Sequence, residues 1–232
     1  MPAVTPVFIP GLLCTDYLFA SQREALARRD YLADTLQHDL ITEMAEAALA
    51  GVDGMVVPIG LSMGGYVALE MARLAPQRVA GMALLSTNCR ADTDDQRAQR
   101  RDAIKMAAHK GFQGVTRHLL PRLLSDRARA DEALVANVLK MARDVGRHVF
   151  ASQQNAIMHR QPQHETLAAF KAPLLVLCGK EDILTPPDLS VEMADLAPQS
   201  DLRLVEGVGH LSSLEAPDQV TAALVDLLAR LD

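Results

Sequence analysis

The chain of 232 residues has no tryptophan, three tyrosines and five phenylalanines, so aromatic side chains make up only 3% of it. A pocket in such a protein is walled by Leu, Met, Val and Ala, which argues against a stacking platform for bases or sugars. Three cysteines, Cys14, Cys89 and Cys178, are too sparse for a disulfide framework and lack metal-ligand spacing. They fit free thiols in a reducing compartment. No apolar run reaches the roughly 18–20 residues that a membrane span needs. Met1-Pro2-Ala3-Val4-Thr5-Pro6 has neither the basic nor the apolar region of a secretory signal, and the expected location is the cytoplasm. An excess of positive charge is missing too. Lys and Arg number 23 against 29 Asp and Glu, a net charge of −6, which disfavours a nucleic-acid partner. Phosphate loops, dinucleotide fingerprints and zinc-ligand spacings are absent from the sequence, and no cofactor or metal is expected.

What is present is a chain that is 49% hydrophobic with a mean hydropathy of +0.07. That suffices for one domain with a substantial core. Short β-rich runs alternate with helical patterns. Val7-Phe8-Ile9, Met55 to Gly60, Val79 to Ser86, Leu174 to Gly179 and Leu202 to Gly207 read as strands, with a further edge strand near Tyr31-Leu32. Pro58 is awkward inside a central strand. Helices are expected from Ile41 to Leu49, Gly64 to Ala72, Leu189 to Leu196 and Asp218 to Leu231. This βαβα alternation specifies an α/β fold, a parallel sheet with helices on both faces. Residues 1–232 form a single domain, with its core at 1–91 and 171–232. The block at about 92–170 lacks a convincing strand and reads as an inserted helical cap.

Gly60-Leu61-Ser62-Met63-Gly64 matches G-x-S-x-G where an apolar strand turns into a helix, the setting of a nucleophile elbow. A serine hydroxyl is a weak nucleophile and needs a base, which needs an orienting acid. After the Leu174–Gly179 strand comes Lys180-Glu181-Asp182, and after the Leu202 strand comes Gly207-Val208-Gly209-His210. The order is Ser62, Asp182, His210, with Glu181 as a rival acid. The other six histidines lie in helical or polar stretches without such a loop. Attack on a carbonyl also needs two N–H donors for the developing oxyanion. The Met63 amide, which opens the helix, and the Leu12 amide in Pro10-Gly11-Leu12-Leu13 are the candidates.

With these motifs the chain resembles the α/β-hydrolase fold superfamily over nearly its whole length. The resemblance rests on Phe8-Ile9-Pro10-Gly11, the Gly60–Gly65 elbow, Gly179-Lys180-Glu181-Asp182 with Pro186, and Gly209-His210. It is similar to small bacterial esterase-like members whose first loop reads Pro-Gly-Leu-Leu-Cys, here Pro10 to Cys14. The resemblance implies Asp182 as the acid and a sheet of about six parallel strands, beginning at what would be the family's third. Pro10-Gly11 departs from the family's usual His-Gly. Serine at the elbow, rather than Asp or Cys, points to acyl chemistry.

The expected function is hydrolysis of a small carboxylic ester or thioester through an acyl-enzyme on Ser62. Alternatives using the same triad are C–C bond hydrolysis, perhydrolysis and acyl transfer; a non-catalytic ligand receptor is a further one. Leu13, Phe150 and Met158 are the candidate pocket residues, and Met106, Leu119 and Met141 are further apolar candidates for the underside of the cap. Arg90, Arg143, Arg147 and Arg160 are candidate contacts for an anionic substrate, with solvated helix surface as the ordinary alternative. The oligomeric state is left open.

Overall fold

The computed structural model describes residues 4–109, 112 and 114–231. The readings that touch Met1, Pro2, Ala3, Lys110, Gly111, Gln113 and Asp232 lie outside the described residues. Six strands, β1 (Thr5–Ile9), β2 (Tyr31–Leu32), β3 (Val56–Leu61), β4 (Met82–Leu85), β5 (Leu174–Gly179) and β6 (Ser200–Val205), form one sheet in the order β2-β1-β3-β4-β5-β6. Every neighbouring pair is parallel. Successive side chains of a strand point to opposite faces, and the core divides accordingly. Val7, Ile9, Met82, Leu84, Leu174 and Val176 join one apolar cluster. Phe8, Ala83, Leu85, Leu175 and Leu177 join the other. Both faces of the central strands are buried, so β3, β4 and β5 read as nearly continuous apolar runs, whereas the edge strand β6, Ser200–Val205, alternates and is only partly buried.

Helices α1 (Ala20–Leu26), α2 (Ile41–Ala50) and α3 (Met63–Leu74) precede β4. Between β4 and β5 lie α4 (Asp94–His109), a 3-10 turn at Arg117–Arg122, α5 (Asp126–Arg129), α6 (Glu132–Met158) and α7 (His164–Ala169). No strand occurs among the described residues of this block. After β5 follow α8 (Pro187–Leu196), α9 (Ser212–Glu215) and α10 (Pro217–Ala229). The helix α6 is broken at Gly146, where φ 79° and ψ 174° lie outside helical values. None of these helices is long and apolar enough to cross a membrane, among the described residues.

Pro58 does sit in the central strand β3. Its backbone nitrogen lies on the β4 side, as parity with Val56 and Ser62 requires. There the β3–β4 ladder begins only at Ile59 paired with Ala83, so the missing N–H costs no ladder bond. The strand order places β2 and β3 on opposite sides of β1. That reversal is a topological switch point, where the carboxyl ends of parallel strands leave a crevice. Gly11 follows β1 and Ser62 follows β3 at that place.

Candidate active site

Ser62 ends β3 and begins α3 with φ 56° and ψ −115°, a conformation that a non-glycine residue holds only under constraint. Its N–H donates to the Leu85 carbonyl at 3.0 Å. Its own carbonyl accepts from the Thr87 hydroxyl at 2.8 Å. Glycine is required beside it for close backbone approach. A Cβ at Gly60 would lie 2.1 Å from the Gly64 oxygen, and one at Gly64 would lie 1.9 Å from the Ile9 oxygen. The G-x-S-x-G spacing is therefore a steric requirement of the bend.

His210 and Asp182 come together beside this elbow. His210 Nδ1 is 2.8 Å from Asp182 Oδ2, with the two residues 4% and 2% exposed. Asp182 is further held by the Leu184 and Thr185 amides, both donating to Oδ1 at 2.9 Å. The Thr185 hydroxyl donates to Oδ2 at 2.7 Å. Burial alone would raise the Asp182 carboxyl. The His210 charge, its hydrogen bond and the Thr185 donors outweigh burial and hold the group below the usual carboxylate range. Glu181, the rival acid, is exposed.

The histidine loop is fixed from the block between β4 and β5. The His210 and Leu211 amides donate to the Leu123 carbonyl at 3.1 and 3.2 Å. The buried Glu215 carboxylate accepts from the amides of Gly209 and Ser125, each at 3.0 Å. The loop after β1 is held from the same side. Gln153 on α6, fully buried, accepts from the Leu13 amide at 3.0 Å and donates to the Thr35 carbonyl at 3.1 Å. Leu13 has φ 60°. With the Cys14 amide donating to the Gly11 carbonyl, the Leu13 and Cys14 amides are engaged, and these bonds leave the Leu12 and Gly11 amides available. The Met63 amide opens α3, where an N–H has no intrahelical acceptor.

A cavity of about 430 Å³ joins these pieces. Ser62 and His210 line it, as do Gly11, Leu12, Leu13 and Cys14. The helical block contributes Val115, Leu119, Met141 and Phe150, together with the polar Gln96, Gln99, Arg100 and Gln154. Leu13 and Phe150 thus fall where the sequence suggested. Met158 does not: it is buried outside the lining, and Ile157 takes the wall position. Adjacent helix residues point about 100° apart, and at this place the Met158 side chain is turned away from the cavity while Ile157 faces it. Met106 is corrected likewise, being 57% exposed. Burial pushes the Cys14 thiol up to about 12 against the opposing backbone contact at Gly11, so it is a neutral filler at ordinary pH.

A family model described as alpha/beta hydrolase fold matches residues 47–217, which include Ser62, Asp182 and His210. The chain belongs to the α/β-hydrolase fold family. Among relatives of the hydrolase is the pimeloyl-[acyl-carrier protein] methyl ester esterase of Serratia marcescens, 26% identical over 195 residues, spanning 82% of this chain and 76% of that one. The dihydrolipoyllysine-residue acetyltransferase component of the acetoin cleaving system of Pseudomonas putida is 27% identical over 210 residues. That match covers 85% of the hydrolase and about half, 53%, of the relative. Among solved structures, a thermophilic esterase from Thermogutta terrifontis with malate bound superposes with a TM-score of 0.91 at 26% identity. The match covers 99% of the hydrolase and 90% of that chain.

Sequence reasoning missed Gln153, Leu123 and Glu215, which act through backbone contacts that reach across the chain and that no motif marks, and it missed Thr185, which holds Asp182 from three residues away. None of the four arginines offered for an anionic substrate lines this cavity, and the ordinary alternative of solvated helix surface fits Arg143 and Arg147. Arg90 pairs with Glu192 at 2.8 Å, Arg160 is buried against Asp92, and Arg143 and Arg147 are exposed. The arginines that line the cavity are Arg100 and Arg122.

Proposed function

We propose that the hydrolase cleaves a small carboxylic ester or thioester through an acyl-enzyme on Ser62. The observation that carries this reading is the 2.8 Å contact from Asp182 to His210 Nδ1, with His210 and the strained Ser62 on one cavity. Held by Asp182 through Nδ1, the imidazole has Nε2 free to act as base. Ser62 Oγ adds to the carbonyl carbon while its proton passes to His210 Nε2. The bond to the leaving oxygen or sulfur breaks, and His210 returns that proton to the departing group. Water then adds to the acyl-enzyme with His210 again as base, and Ser62 is regenerated. The Leu12 and Met63 amides serve the oxyanion, each worth about 3 kcal/mol in the transition state. The helices between β4 and β5 act as a cap that keeps an apolar acyl chain from water. The esterase names of two relatives support the class of reaction.

The test is a panel of short p-nitrophenyl esters and thioesters with wild type and Ser62→Ala. Loss of about 10³-fold or more in kcat is expected, with the fold retained because the hydroxyl fills no core space. A fluorophosphonate should label Ser62 alone; labelling that persists in the alanine variant overturns the assignment.

A further inference from the structure

The helix that roofs the cavity turns a polar face to it. Gln96, Gln99, Arg100 and Ala103 are spaced as i, i+3, i+4 and i+7 on α4, one face of a helix, and all four line the cavity. Along α4 no residue is buried, so this face is not packed as core. Gln96 Oε1 accepts from the Thr93 amide at 2.9 Å, which caps the start of α4 and leaves its Nε2 for a ligand; an apolar acyl group alone gives no reason for Gln99 and a guanidinium beside it.

The charge count around Arg100 is unbalanced. Its Nε donates to Asp92 Oδ2 at 2.6 Å, its Nη1 to Gln154 at 2.8 Å and its Nη2 to Asp92 Oδ1 at 3.5 Å. A guanidinium has five N–H groups, so these three bonds leave two. The Asp92 carboxylate is fully buried, and it is shared: Arg160 Nη1 also donates to Oδ1 at 2.5 Å. Arg160 otherwise meets only neutral groups, the carbonyls of Arg90 and Ile157 and the Tyr66 ring at 4.2 Å. Two guanidiniums on one buried carboxylate leave one surplus positive charge. Arg100 is the member that reaches the cavity, its side chain 24% exposed. Arg122 adds a second guanidinium to the lining, and no Asp or Glu lines the cavity among the described residues. Surplus charge beside an apolar cavity is costly unless a counter-ion meets it. A protein of net charge −6 whose candidate active-site cavity is lined by two arginines and, among the described residues, by no carboxylate is arranged for an anionic ligand.

On the ester-hydrolase reading above, we propose that the substrate carries a carboxylate besides its scissile ester, held by the free N–H groups of Arg100 with the amides of Gln96 and Gln99. The juxtaposition of Ser62 and Arg100 on one cavity makes this a specificity-determining contact of the same site.

Two matched pairs of esters test the proposal, according to which side of the ester bears the charge. On the acyl side, monomethyl glutarate is compared with methyl 5-methylhexanoate. On the alcohol side, O-butyrylglycolate is compared with isobutyl butyrate. The quantity read is the ratio of kcat/KM for the anionic to the neutral member, in wild type, Arg100→Gln and Arg100→Lys. Wild type should favour the anion in at least one pair, and Arg100→Gln should reduce that preference about tenfold or more. Arg100→Lys should restore part of it, since charge returns without the planar fork. Added salt should narrow the wild-type ratio. A wild-type preference for the neutral member in both pairs, or a ratio unchanged in Arg100→Gln, overturns the proposal. Should Arg100→Gln not fold, the wild-type ratios and their salt dependence still decide it. Absence of any Ser62-dependent turnover of all four esters would instead overturn the hydrolase reading itself, and this proposal with it.

Discussion

Asp182 illustrates how one side chain couples the candidate chemistry to stability. Its carboxyl titrates lower in the folded chain than an ordinary carboxyl, because His210 and the Thr185 donors outweigh burial. A depressed folded value means that the ionised group adds stability above the unfolded value, roughly pH 3.9, and that this is lost as pH falls through the folded one. The gap in urea midpoint between wild type and Asp182→Asn should therefore shrink as the pH is lowered from about 5 toward 2. A gap that widens on acidification contradicts the assigned shift. Two residues of α6, eight positions apart, give a second contrast. Phe150 lines the cavity and Met158 does not. Phe150→Ala should extend the acyl length accepted, read as kcat/KM over an ester series. Met158→Ala should cost about 2–5 kcal/mol of stability with little change in that profile. The reverse pattern would mean that the wall is misassigned.

The helix α6 depends on its break. Gly146 at φ 79° and ψ 174° lies in a region that only glycine visits freely, and a Cβ there would meet nothing within 4 Å. The cost of Gly146→Ala is thus conformational and not steric, about 1–3 kcal/mol. The half of the helix after the break carries Phe150, Gln153, Gln154 and Ile157, which wall the cavity or hold the Leu13 loop. Gly146→Ala should lower the melting temperature and alter the acyl-length profile together. A change in melting temperature alone would show that the break serves only packing. The 3-10 turn at Arg117–Arg122 has a comparable role, delivering the Leu123 carbonyl to His210.

Across the whole molecule, the helical block between β4 and β5 is tied to the sheet at the site itself. Gln153 reaches Leu13 and Thr35, Leu123 holds His210, and Ser125 shares Glu215 with Gly209. Val138 and Met141 also belong to the same apolar cluster as Leu85 and Leu177. Such a block should not unfold on its own. Near-ultraviolet dichroism from the three tyrosines and far-ultraviolet dichroism should report one coincident denaturant transition. Two separated transitions would show the block to be an independent unit.

The six strands and the Ser62 elbow were legible because their causes are local. Continuous apolar runs mark strands buried on both faces, and Gly60 and Gly64 are required by backbone approach within a few residues. The loops that carry Ser62, Asp182 and His210 were legible because parallel strands deliver their carboxyl ends to one edge of the sheet, whereas preferring Asp182 to Glu181 rested on the family resemblance. What only the tertiary structure decided is which side chains cross from one layer to another. Gln153 looks like any helical glutamine until Leu13 arrives beside it, 140 residues away in the chain. Arg100 and Arg160 are indistinguishable in sequence, yet sharing Asp92 turns one into a buried support and leaves the other facing the cavity. Charge balance is a property of space, set by which groups exclude water together, and the linear order of residues does not carry it.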